Sequence, residues 1–119
     1  MSIPILKQGN FLIVSIQTII SDKDLISLQD DLSLQVGKHR SKGVVIDVTT
    51  LDVMDSFSTR TLRNIAYTIK LRGAETVIVG IQPDVAFAMI QLGLKLDDVK
   101  TALNLEEGLM LLNYLLERK

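Results

Sequence analysis

Hydrophobic and polar positions along this chain follow two periods, and the switches between them outline its elements. Phe11-Leu12-Ile13-Val14-Ser15-Ile16 is a short apolar, β-branched run. It follows an extended start at Ile3 to Leu6 across the turn pair Gly9-Asn10, which predicts a hairpin. Ser21 or Asp22 can cap the next helix, whose apolar stripe at Leu25, Leu28, Leu32 and Val36 runs to about Gly37. Gly43 to Val48 reads as a strand buried on both faces. Leu62, Ile65, Ala66 and Ile69 give one apolar face to a helix from about Ser56 to Leu71, closed by Arg72-Gly73-Ala74. Thr76 to Val79 is a short β-branched strand ended by Gly80. Pro83 opens a short helix that Gly93 ends, the expected order of proline early and glycine late. Val99 to Leu103 reads as a last edge strand, and Leu105, Leu109, Leu112 and Leu116 stripe a terminal helix.

Strands alternating with helices predict an α/β fold, a mixed and mostly parallel sheet of four to five strands carrying about four helices. With right-handed crossovers, the loops that follow the parallel strands gather at one end of the sheet, where α/β proteins concentrate function. The segment Val45 to Arg60 puts a strand, an acidic turn and a helix start at that end. No linker, repeat or low-complexity stretch interrupts residues 1–119, so a single domain is expected. Apolar residues at 47% and charged residues at 23% fit a folded chain of this kind.

Composition then removes several chemistries. Thirteen basic residues against 14 acidic leave a net charge of −1, which offers nucleic acid or a membrane surface no bulk attraction. There is no cysteine, so disulfides, thiolate catalysis and sulfur-ligated metal are excluded. The single His39 rules out a two-histidine metal site, and in Lys38-His39-Arg40 it reads as a solvated helix end. Neither a G-x-G-x-x-G nor a P-loop motif occurs, and no serine sits in a G-x-S-x-G elbow. No cofactor, metal or catalytic residue is therefore expected. The longest uncharged run, Gln8 to Ser21, is too polar to span a bilayer and has no A-x-A-like cleavage site, so a cytoplasmic protein is expected.

Asp47, Asp52 and Asp55 cluster near the end of the third strand. Such carboxylates can hold Mg²⁺ or do acid–base work, and they can equally be turn formers placed before a helix N-terminus. A receiver-like reading would make Asp47 a phospho-aspartate, yet Gln17-Thr18-Ile19-Ile20 lacks the acidic pair that this chemistry needs after an early strand. Ser56 carries two open readings, a plain helix cap or a phosphorylation switch. A phosphate there would meet a helix dipole that tolerates it and the carboxylates Asp52 and Asp55 that repel it. Arg60, Arg63, Tyr67 and Lys70 form a basic stripe, either a solvated face or a docking strip for an acidic partner. Val85-Ala86-Phe87-Ala88-Met89-Ile90 is apolar nearly all round, so another surface must cover it, and Val85, Phe87 and Met89 are expected at a subunit interface.

The order V-V-I-D, a short turn, Met54-Asp55-Ser56, a helix and L-R-G-A resembles a STAS domain, the phospho-switch module of the anti-sigma factor antagonists. Pro4 to Lys7, Leu12 to Gln17, Gly43 to Asp47, Asp55 to Phe57 and Gly80 to Pro83 are similar to one group within it, the stressosome scaffold of RsbS type. Phe57 and Ser58 stand where simpler antagonists carry a small residue and a glycine, and Ser21-Asp22 stands where many carry an acidic residue at the start of the first helix. The resemblance implies that Ser56 accepts phosphate, with Ser58 and Thr59 as rival acceptors and Asp52, Asp55 and Phe57 as its surroundings. It also implies a non-enzymatic scaffold that forms homo- and hetero-oligomers with paralogous sensors of RsbR type. That scaffold would hold a serine/threonine switch kinase of RsbT type until phosphorylated, and a phosphatase of RsbX type would reset it. A free anti-sigma factor antagonist is the alternative.

Overall fold

The computed structural model describes residues 3–17 and 21–117. The run at 18–20 that argues against the receiver reading lies outside them. In chain order the elements are β1 (Ile5–Gln8), β2 (Phe11–Ser15), α1 (Asp22–His39), β3 (Gly43–Asp47), α2 (Ser56–Leu71), β4 (Glu75–Val79), α3 (Pro83–Gln91), β5 (Lys100–Ala102) and α4 (Leu105–Glu117). The five strands lie in the spatial order β1-β2-β3-β4-β5. Only β1 and β2 pair antiparallel, and β2 to β5 run parallel. This is the mixed, mostly parallel sheet that the alternation of periods predicts.

Side-chain alternation divides the sheet into two faces. Leu12, Val14, Val44, Ile46 and Ile78 face α1, α2 and α3 and join Leu28, Leu32, Leu62 and Ile65 in the larger core. Phe11, Val45, Val77 and Val79 face α4 and close around Leu112. Burying apolar side chains on both faces of the central strands is what drives a parallel sheet to take helices on each side. α4 lies close to the sheet because two glycines make room. A Cβ on Gly108 would come within 2.6 Å of Val79, and one on Gly43 within 2.9 Å of Leu112.

α1 runs two residues beyond the expected stop at Gly37. Gly37 stays helical under the Arg72 guanidinium, which occupies the space a side chain would take. The chain turns instead at Arg40, whose φ of 51° puts it in the left-handed region and whose N–H donates to the Val36 carbonyl.

Candidate functional site

The loop after β3 is tied down from three directions. The Asp47 carboxylate, at the end of β3, accepts the backbone N–H of Thr49 at 2.9 Å. The Thr50 hydroxyl donates to the carbonyl of Ile16, just past β2, at 3.0 Å. The Gln82 side-chain amide, at the start of α3, donates to the Thr49 carbonyl at 2.6 Å. Leu51 and Met54 are buried in the larger core, while Asp52 and Val53 remain exposed. Asp47 is thus occupied in its own turn. Among the described residues no three of His, Cys, Asp or Glu gather into a group able to hold a metal ion.

Asp55 resolves the capping question at α2. Its backbone is extended, and its carboxylate accepts the Ser58 N–H at 2.7 Å, the arrangement of an N-cap. That backbone hydrogen bond, then the Ser58 side chain, holds the carboxyl below the usual aspartate range, so Asp55 is anionic at neutral pH. The cap being supplied by Asp55, Ser56 sits one residue later, exposed at the first position of the helix, and its hydroxyl makes no hydrogen bond among the described residues. The recess it borders holds a carboxylate, Asp97, and no histidine. His39, the lone histidine, occupies the far end of α1, about 25 Å along that helix from Asp22. Asp22, in contrast, lines a small recess together with Val53, Asp55 and Ser58.

The neighbouring hydroxyls differ from Ser56. Ser58 is half-buried. Thr59, expected as a rival acceptor, is 2% exposed and its Oγ1 is sealed from solvent without a hydrogen-bond partner. Only opening the first turn of α2 would present it to an enzyme, which removes it from the accessible acceptors. Phe57 turns inward against the larger core and anchors this turn.

Beyond Ser56 the stripe on α2 borders open space. Arg60, Tyr67 and Lys70 are exposed. Arg63 reaches across to the α3–β5 segment and donates to the Lys95 carbonyl at 2.7 Å. A recess of about 310 Å³ lies between Ser56, Arg60, Arg63 and Lys95, and a groove of about 540 Å³ continues along Arg63, Tyr67, Lys70 and Lys100. Lys95, Lys100, Asp97 and Val53 do not figure in the expected site. The first three lie more than thirty residues along the chain from Ser56. For Val53 the signal available was an apolar residue in an otherwise acidic turn.

The expected interface on α3 needs correction. Val85 at 4% and Met89 at 6% exposure point into the chain's own core. Phe87, the third residue expected there, does face outward, and so do Ile90 and Leu92, all strongly exposed. A helix apolar on every side does not reveal from its sequence which side the sheet claims.

Comparisons with known proteins agree with this geometry. The model of the STAS domain family matches residues 2–108. RsbS from Moorella thermoacetica, in a serine-to-glutamate variant, superposes with a TM-score of 0.83 at 36% identity, covering 97% of both chains. A chain of the stressosome, described as a signal integration and transduction hub, superposes with a TM-score of 0.81 at 38% identity, covering 95% of this chain and 98% of that one. The RsbT co-antagonist protein RsbRA of Bacillus subtilis (strain 168) is 30% identical over 92 residues, which is 77% of this chain. The chain spans only 34% of the length of that relative.

Proposed function

This chain belongs to the STAS domain family, and we propose that within it the protein is a stressosome scaffold whose switch is phosphorylation of Ser56. It assembles in the cytoplasm with paralogous STAS-domain sensors of RsbR type. It holds a serine/threonine switch kinase of RsbT type until that kinase phosphorylates it, and a phosphatase of RsbX type restores the first state. The output is a general stress response or a related signalling response. The protein itself performs no catalysis.

The observation that carries this reading is the division of labour at the start of α2. Asp55 supplies the cap, which leaves the Ser56 hydroxyl exposed and unbonded among the described residues. A serine so placed is suited to be acted upon by another enzyme. A dianionic phosphate there gains from the helix N-terminus, while Asp52 and Asp55 set like charge beside it. The local surface turns strongly negative while the fastened loop keeps its shape, and such a change alters partner choice rather than fold. The likeness to RsbS and to a stressosome chain supports the same reading.

Incubating the protein with its cognate switch kinase and ATP, then mapping the phosphate by mass spectrometry, tests the proposal. Phosphate is expected on Ser56, and a chain left unmodified at Ser56 would overturn it. Ser56→Ala should retain the kinase in the presence of ATP, and Ser56→Asp should weaken its binding. Size in solution separates the alternative: a large assembly with a paralogue excludes a free anti-sigma factor antagonist.

A further inference from the structure

The recess beside Ser56 and the groove beyond it adjoin, with Arg63 and Asp97 in the walls of both. One wall is the outer face of α2 and the other is the segment from α3 to β5, and the Arg63 hydrogen bond to the Lys95 carbonyl joins the two. Five cations line it, Arg60, Arg63, Lys70, Lys95 and Lys100, against two carboxylates, Asp97 and Asp98. The chain as a whole is nearly neutral, so this excess of positive charge is local. The exposed ring of Tyr67 lines the groove and adds apolar surface. Two adjoining recesses along α2, excess positive charge and an aromatic side chain together fit an extended acidic peptide segment.

Resting on the reading of Ser56 as phosphoacceptor, we propose that this groove receives an acidic segment of the kinase that modifies Ser56, and that the phosphate then expels that segment by taking over the cations at the groove's near end. The kinase is the occupant because the groove begins at the acceptor hydroxyl, so an enzyme delivering phosphate there must cover its mouth. In the transfer the Ser56 Oγ–P bond forms as the bond from the γ-phosphorus of ATP to its bridging oxygen breaks. ADP leaves, and the hydroxyl proton passes to the kinase. Arg60 is one helical turn from Ser56, so the two side chains share a face of α2, and Lys95 lines the same recess. The new phosphate competes for both cations from within the chain, at a far higher effective concentration than a carboxylate of a separate molecule. Release therefore needs no change of backbone.

The test measures binding of the kinase, and of a short fluorescent glutamate-glycine peptide as probe, to the full chain. The peptide should bind more weakly as salt is raised. Substituting the exposed cations together, Arg60→Gln, Lys70→Gln and Lys95→Gln, should weaken both ligands by about tenfold or more, with the thermal melt unchanged. Phosphorylation should weaken peptide binding to the parent chain and add little in the triple variant. Equal binding by parent and triple variant would overturn the groove, even with phosphate mapped to Ser56. Phosphate mapped elsewhere would instead overturn the reading of Ser56 and the expulsion step, while peptide binding to the unmodified chain still reports on the groove as a docking surface.

Discussion

α2 and α3 begin in the same way and end up serving different ends. Each follows a central parallel strand, each starts at the carboxyl end of the sheet, and each buries one side in the same core. α2 is sharply divided. Leu62, Ile65 and Ile69 face inward, Arg60 and Lys70 face outward, and a carboxylate caps its first turn. α3 has proline at its start, no side-chain cap and apolar residues on both sides. The polar outer face of α2 is stable in water as it stands. The outer face of α3, with Phe87 and Ile90, and Leu92 just beyond it, exposes apolar side chains that association would cover. One helix therefore suits reversible, charge-controlled contact, and the other suits lasting assembly.

The largest effect should come from the buried sides. Ile65→Ala in α2 removes a side chain with no solvent exposure and is expected to cost about 3–5 kcal/mol, and Met89→Ala in α3, nearer the edge of the core, about 2–3 kcal/mol. Chemical denaturation of both variants would check the order, and a reversed order would mean that α3 is the better-packed element. Next comes the cap. Asp55→Ala should cost about 1 kcal/mol at neutral pH. The folded carboxyl titrates below its unfolded value, so its contribution is complete above the unfolded pKa of about 4 and is lost as pH falls through the folded one. The difference between parent and Asp55→Ala should thus shrink in acid, as melting curves across that range would record. Smallest in stability, though not in consequence, is the outer side of α3. Phe87→Ser with Ile90→Ser should change unfolding free energy by no more than about 0.5 kcal/mol while reducing the mass of the assembly in light scattering. An assembly of unchanged mass would take α3 out of the comparison as an association surface.

Much of this was readable from the chain. The span of α2 and the stripe Leu25, Leu28, Leu32 and Val36 follow from periodicity alone, because each element has a single apolar side for the sheet to claim. Periodicity does not say which distant segment will lie against a polar face, so Lys95 and Lys100 emerge only when β5 closes the sheet beside β4. Nor does it rank three hydroxyls in one helical turn. Ser56 faces solvent and Thr59 faces the interior because α2 rotates to bury Leu62 and Ile65, a choice made by the packing of the whole face. Gly37 misled for a similar reason: glycine commonly ends helices, but here a tertiary neighbour, Arg72, fills its missing side chain.

The three hydrogen bonds that fasten the loop after β3 have a consequence for timing. If Ser56 is the phosphoacceptor proposed above, a loop joined to the end of β2, to the end of β3 and to the start of α3 leaves little slack to relax into when a phosphate is added or removed. A site built this way keeps no record of its history. On that proposal its response would be as quick as the enzymes that write and erase the mark, and the molecule would return without hysteresis to the state it left.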